Sequence, residues 1–333
     1  MRQSAVVVAL AGTLVFGSVV AGQPPAGSTL RWFKGNTHTH TLNSDGDSTP
    51  DEVVRWYREQ RYHFLVLTDH NVVTPVEGLN ALHGAPDRFL VIRGEEVTDS
   101  VDRKPVHLNL IGGDGFVPPQ GGATPADALR RNVAAMLRAN GIISINHPNF
   151  GWALSGEDIR AGAGAHLLEI ANAHPQVNNG GGGSSPGTEE LWDAALSAGL
   201  TIYGVASDDM HELKRPWSKA SARPGQGWIV VRASGLTEEA ILASLARGDF
   251  YASTGVEITD IQIGPARVAL TIKEQGSTRF TVRFVGRGGR VLAELAGPPY
   301  QYDIAGDEGY VRAKVVDSNG LVAWTQPVFV GTR

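Results

Sequence analysis

The residues able to do chemistry gather in five short clusters. These are Asn36-Thr37-His38-Thr39-His40, Thr68-Asp69-His70, Gly94-Glu95-Glu96, Asn146-His147-Pro148 and Ser207-Asp208-Asp209-Met210-His211. Imidazole nitrogens with carboxylate oxygens suit Zn, Mn or Fe(II). The chain has no cysteine, which excludes thiolate ligands and disulfides alike. In an extended chain, residues two apart share a side, so His38 and His40 can serve one ion, as can Asp209 and His211. Asp45, in Ser44-Asp45-Gly46-Asp47, can reach back from the following loop. The donors outnumber those a single tetrahedral ion takes, so a multinuclear site is expected. The spacing leaves open whether Glu95 or Glu96 binds, and likewise Asp208 or Asp209. Each cluster alone has an ordinary explanation, a satisfied core histidine or a polar turn; all five together at strand ends do not.

Those strand ends come from the apolar pattern. Runs at Phe64–Leu67, 89–92, 106–111, Ile142–Ile145, 167–170, 201–206 and 228–231 read as strands. Helices are expected to open at Thr49-Pro50-Asp51-Glu52 and Thr124-Pro125-Ala126-Asp127, the latter running to Asn140-Gly141, and to span 188–198 and 237–247. This alternation predicts parallel strands covered by helices, and its length favours a barrel over an open sheet. Barrel enzymes place their sites at the C-terminal ends of the strands, where the five clusters fall. The Gly-rich stretches 112–122 and 178–187 read as mobile rims or lids. His63, His83, His166 and His174 lie before strands or in loops and receive no role, although His174 stands where it can line the rim.

After Thr254 the pattern turns to alternating strands separated by Gly, Asp and Pro turns, which predicts an all-β sandwich over 254–333. The hydrolase barrel is expected over 30–253. At the other end, Arg2, the uncharged run 5–20 and the small residues Ala21 and Gly22 predict a signal peptide over 1–22, followed by a linker over 23–29. A periplasmic or secreted protein follows, soluble and without membrane once mature. A composition 42% hydrophobic and 19% charged supports a full core, and a net charge of −5 offers no footprint for nucleic acid. The expected partner is a small-molecule substrate. The sequence carries no signal of oligomeric state.

His38-Thr39-His40-Thr41 with Ser44-Asp45-Gly46, Thr68-Asp69-His70, Asn146-His147-Pro148 and the Asp209-x-His211 spacing resemble the PHP superfamily, the polymerase and histidinol phosphatase domains. Glu95-Glu96-Val97-Thr98, the Ser207-Asp208-Asp209-Met210-His211 segment and Phe250-Tyr251-Ala252-Ser253-Thr254-Gly255 are more similar to its carbaryl-hydrolase-like branch. The resemblance covers residues 30 to about 255. It implies an α/β fold, a distorted (β/α)7 barrel, and two or three Zn, Mn or Fe ions. It implies the ligands His38, His40, Asp45, His70, Glu96, His107, His147, Asp209 and His211, and hydrolysis of phosphoesters.

A metal-bridging hydroxide would be the nucleophile, with Asp209 or a neighbouring histidine such as His211 shuttling the proton. Arg93, just before the glutamates, is expected to meet a substrate phosphate; Lys104 reads as a solvated charge. Carbamate, ester or amide hydrolysis is the alternative that the second branch implies. A non-enzymatic metal- or carbohydrate-binding protein, with the β-sandwich as its working module, is the third possibility.

Overall fold

A computed structural model describes residues 30–331; the expected signal peptide (1–22) and linker (23–29) lie outside the described residues. The first apolar run forms β1 (Arg31–Asn36). Thr49 then caps α1 (Pro50–Glu59): its hydroxyl accepts from the Glu52 N–H, while the Glu52 carboxylate accepts from the Thr49 N–H at 2.8 Å. This reciprocal pairing satisfies two amide donors that a helix start leaves without partners. β2 (Phe64–Leu67), α2 (Glu77–His83), β3 (Leu90–Val101) and β4 (Lys104–Ile111) follow. Next come α3 (Pro125–Leu137), β5 (Ile142–Ile145), α4 (Gly156–Ala161), β6 (Leu167–Asn172), α5 (Thr188–Ser197) and β7 (Tyr203–Ser207). β8 (Trp228–Ala233), α6 (Glu238–Arg247) and β9 (Phe250–Ser253) complete this lobe. The short α2 and α4, of seven and six residues, were not expected from the sequence, having too few turns to show a period.

The strands lie in the order β8-β1-β2-β3-β4-β5-β6-β7. Pairs β1–β2, β2–β3, β5–β6 and β6–β7 are parallel. Two features correct the expected barrel. First, β3 and β4 form an antiparallel hairpin, and β4 is also antiparallel to β5. Only Asp102 and Arg103 separate β3 from β4, both with positive φ (50° and 66°), so the chain reverses in a tight turn with no room for a helix. Second, no closed barrel forms. β7 ends the path without a ladder to β8, and β8 runs antiparallel to β1. The curled sheet is tied across only beyond the strand ends, where the Asp209 N–H donates to the His38 carbonyl at 3.1 Å and the His40 N–H to the Met210 carbonyl at 2.9 Å.

Alternation along the strands divides the interior from the outer face. Leu65, Leu67 and Val91 pack outward with Val53, Val54 and Tyr57 of α1, all fully buried. Phe64, Val66 and Ile92 belong to the main core with the strands beyond. The two Gly-rich stretches are held by hydrogen bonds, unlike the mobile rims expected. In the first, Val117, Gln120 and Gly121 donate their amides to Glu95, Asn132 and Asp99. In the second, the Asn149 amide donates to the carbonyls of Asn178 and Pro186.

The C-terminal region adds β10 (Ile258–Ile263), β11 (Arg267–Ile272), β12 (Phe280–Gly286), β13 (Arg290–Leu295), β14 (Tyr300–Asp303), β15 (Tyr310–Asp317), β16 (Val322–Thr325) and β17 (Val328–Phe329). β9 pairs with both β8 and β16, so the main sheet runs on as β9-β16-β15-β12-β13. A second, three-stranded sheet, β10-β11-β14, shares a buried core with it through residues such as Ile258, Val268, Val282, Phe284 and Val315.

An ion network joins the two lobes. Arg312 of β15 is 1% exposed; its guanidinium donates to both carboxylate oxygens of Asp193 on α5 (2.8 and 2.6 Å) and to Glu189 (2.9 Å). The Tyr310 hydroxyl also donates to Asp193, and Arg312 lies over the Trp192 ring. Removing one partner of a buried pair strands the other charge away from water, so Asp193→Ala should destabilise the protein by roughly 3 kcal/mol. Urea denaturation of the purified variant checks this; an unchanged midpoint would mean that the network carries no stability.

Candidate metal centre

The donors converge where the strands end. His38 and His40 lie just past β1, His70 past β2, His147 past β5, and Asp209 and His211 past β7, while Glu96 and His107 project from the β3–β4 hairpin. His38, His40, Asp209 and His211 therefore stand beyond regular strand rather than within it, as the sequence pairing had supposed. Each pair still meets in space, because the backbone bonds between 38–40 and 209–210 hold both segments side by side. His147 (φ 21°) and Asp209 (φ 48°) adopt left-handed backbone that non-glycine residues avoid, strain of a kind that gathers at functional sites.

Four overlapping sets of donor atoms result: His40, Asp45, His70 and His211; His38, His147 and Asp209; His38, His40 and Glu96; and His70, Glu96 and His107. Glu96 is the hub. Its Oε2 lies 3.4 Å from Nε2 of both His38 and His40 and 2.8 Å from His70 Nδ1; its Oε1 lies 3.2 Å from His107 and from His147. Asp209 Oδ1 stands 3.2 Å from His38 and 3.1 Å from His40. Asp45 completes the open side, 3.5 Å from His70 and 3.3 Å from His211. All nine residues that the resemblance implied as ligands are thus brought together. Glycine is needed at 46: a Cβ there would come within 2.7 Å of the His40 carbonyl, so a side chain would push the Asp45 turn off the site.

The structure also separates the adjacent acids. Glu95 points to the opposite face of β3, where it accepts the Val117 N–H, and burial raises its pKa to about 7. Asp208 turns away and accepts from the amide of Asn36, the hydroxyl of Tyr57 and the backbone of Gly225, Gln226 and Gly227. It fixes the chain after β7. Asp69 plays the same part for the 41–44 loop, accepting from Thr41, Ser44 and Thr74. Arg93, expected to meet a substrate phosphate, is a correction. It shares the outer face of β3 with Val91 and Glu95, because alternation sends it opposite to Glu96. It does not face the donors.

Glu169, in the middle of β6, went unnoticed in the sequence. It is 1% exposed, lies 2.7 Å from His38 Nδ1, and accepts from Ser207, Asn172 and the His147 N–H (2.7 Å). A carboxylate on one ring nitrogen fixes the tautomer and aims the other at the site. Thr98 stands likewise 2.6 Å from His70 Nδ1, and the Asp209 carbonyl 2.9 Å from His211 Nδ1. The missed signal was a charged residue in an otherwise apolar run, Leu167-Leu168-Glu169-Ile170.

Charge balance explains the titration behaviour. Burial alone would depress every imidazole, and for His40 it prevails, pulling the pKa down to about 4; it also lowers His107. At His38, His147 and His211 burial is outweighed by the surrounding carboxylates, and their pKa values are raised; His70 reaches about 10 through Asp45 and Glu96. Conversely, the histidines hold Glu96, Asp209 and Asp45 below the usual carboxylate range despite their desolvation. Three donors, His38 Nε2, Glu96 Oε2 and His107 Nδ1, are buried and make no hydrogen bond. Converging imidazole and carboxylate donors left without hydrogen-bond partners fit divalent cations.

No family model matches the chain, and no curated protein does. Among solved structures, a two-domain protein from Bacteroides vulgatus containing a predicted PHP-like metal-dependent phosphoesterase aligns over 89% of this chain and 95% of its own, with a TM-score of 0.50 and 17% identity. A metal-dependent phosphoesterase structure from Bifidobacterium adolescentis covers 55% of this chain and 90% of its own (TM-score 0.40, 18% identity). An amidohydrolase from Chromobacterium violaceum covers 57% and 93% (TM-score 0.38, 18% identity). The first of these likenesses is one of fold, and it runs through both lobes.

Two outcomes follow from the geometry. Glu169→Ala should weaken metal binding by about 10- to 100-fold, with Glu169→Gln between it and wild type, since the amide oxygen still accepts from His38. Metal titration of the folded variants measures this, and equal affinities would show that Glu169 does not orient the ligand. Second, the raised pKa values of His38, His70, His147 and His211 keep protons on these rings at neutral pH in the metal-free protein. Incoming ions displace those protons, so affinity should rise from pH 6 to pH 8. Calorimetry in buffers of different ionisation enthalpy should register proton release; a pH-independent affinity would contradict the assignment.

Proposed function

We propose that this protein is a metal-dependent hydrolase acting on phosphoesters of small molecules, with two or three divalent ions held by His38, His40, Asp45, His70, Glu96, His107, His147, Asp209 and His211. The observation that carries this reading is the hub arrangement of Glu96 among five imidazoles with unpartnered buried donors. The fold shared with a structure described as containing a PHP-like metal-dependent phosphoesterase supports it. When bound, such ions supply a water of lowered pKa and stabilise charge on the attacked centre's oxygens.

The chain's own residues do the rest. Glu169, Thr98 and the Asp209 carbonyl set the tautomers of His38, His70 and His211, so the donor nitrogens face inward without reorganising. The buried hub excludes bulk water, whereas Asp45, with its side chain 54% exposed, and the partly exposed His70 and His211 mark the side from which substrate enters. Asp209 and His211, beside one another at that opening, are placed to pass the proton to the leaving group. We also propose that the protein is exported and that its mature chain begins near Gly22–Gln23, on the segment of Arg2, the uncharged run and the small residues.

A panel of chromogenic phosphomonoesters, phosphodiesters, carboxyl esters and carbamates on the Mn- and Zn-loaded protein tests the reading. Phosphoester turnover is expected; turnover of carbamates or esters alone would assign the protein to the other hydrolytic chemistry. The double variant His38→Ala/His40→Ala should lose at least 100-fold in rate, the scale on which single interactions in preorganised sites act. It should also lose bound metal while keeping its circular-dichroism spectrum. Full activity and metal content in that variant would remove the basis of the proposal.

A further inference from the structure

His174 stands outside all four donor sets, yet it sits at their opening. Its ring centroid is 5.3 Å from that of His211, nearly edge-on, and 6.0 Å from that of Phe150, whose own ring lies 5.3 Å from His147. The residue is half-buried and is placed by the same network that holds the donors. The Asn172 amide donates to Glu169 (2.9 Å) and Asp209 (3.1 Å), and its oxygen accepts the His174 N–H (2.8 Å). A single buried asparagine therefore ties the His174 backbone to two carboxylates of the site.

The tautomer of His174 follows from its neighbours. Nδ1 accepts the Gln176 N–H at 3.3 Å, which leaves the proton on Nε2. Nε2 makes no hydrogen bond to any described residue and is not among the buried unpartnered atoms, so it meets solvent beside the exposed edge of the cluster. With Arg93 on the outer face, a donor for a substrate oxygen has to come from elsewhere, and this N–H is in place for it.

We propose that His174 is a substrate-contacting residue whose neutral Nε2–H donates to a non-bridging oxygen of the phosphoryl group, the donor that Arg93 does not provide. The proposal rests on the phosphoesterase reading. Burial lowers the pKa of this imidazole, in keeping with a neutral donor rather than a cation. No proton is transferred: the hydrogen bond strengthens as charge grows on the oxygen in the transition state. His174 differs in this from His211, which faces Asp45 and belongs to the donor set.

The test uses the full chain loaded with Mn, comparing wild type with His174→Ala and His174→Gln. Three quantities are measured: metal content, turnover of p-nitrophenyl phosphate, and affinity for inorganic phosphate by calorimetry. The alanine variant should lose about 100-fold in kcat with its metal content unchanged, and glutamine, whose amide can replace the donor, should recover part of the loss. Phosphate affinity should fall in the same order. Loss of metal in His174→Ala would make the residue a ligand and overturn the proposal. So would kinetics and phosphate affinity equal to wild type in both variants, while leaving the phosphoesterase reading intact. If wild type turns over no phosphoester yet its phosphate affinity still falls in His174→Ala, the phosphoesterase reading fails and the oxyanion-donor assignment stands. If wild type neither turns over phosphoester nor binds phosphate, both fall.

Discussion

The structure depends on neutralising a knot of buried charge. Glu96, Asp209 and Glu169 are almost wholly withdrawn from water, and each is held ionised by the imidazoles around it. An isolated carboxylate in such a place would take up a proton or force the fold open. Here the histidines carry the compensating positive charge, and the raised pKa values of His38, His70 and His147 are the counterpart of the depressed carboxylates. Protons and divalent cations are therefore competitors for one electrostatic role. The same field that stabilises the metal-free cluster prepares it for metal.

That constraint explains the polar scaffolding around the donors. Asparagines recur where a carboxylate needs a second donor: Asn146 on Glu96, Asn172 on Glu169 and Asp209, and Asn36 on Asp208. An amide both donates and accepts without adding charge, so it can link backbone to carboxylate inside a low-dielectric site. Asn172 does this for His174, and the geometry of the opening is thereby coupled to that of the donors. The strained backbone at His147 and Asp209 persists because the surrounding bonds determine both positions.

The second lobe is part of the same construction. β9 belongs to two ladders, one with β8 beside the site's sheet and one with β16 of the C-terminal sheet. A sheet shared in this way transmits no hinge, and the Arg312–Asp193–Glu189 network closes the other side of the contact. Its buried guanidinium is satisfied by helix residues of the first lobe, so neither lobe's surface there is complete without the other.

Local pattern determined much of this protein. The capped starts of α1, α3 and α6 at Thr49, Thr124 and Thr237, the short apolar strands and the donor clusters at their ends were legible, because capping, periodicity and residue type are properties of neighbouring residues. The tertiary structure decided what depends on residues far apart in the chain. Alternation along β3 could be counted, but only the register with β2 and β4 showed that Glu96 faces inward while Glu95 and Arg93 face out. The choice of Asp209 over Asp208 likewise needed the 225–227 backbone to arrive and claim the latter. Glu169 looked like an interruption of an apolar strand until His38, 131 residues earlier, was brought against it. Sheet closure and the lobe boundary were out of reach for the same reason, since backbone hydrogen bonds between strands are set by which strands meet.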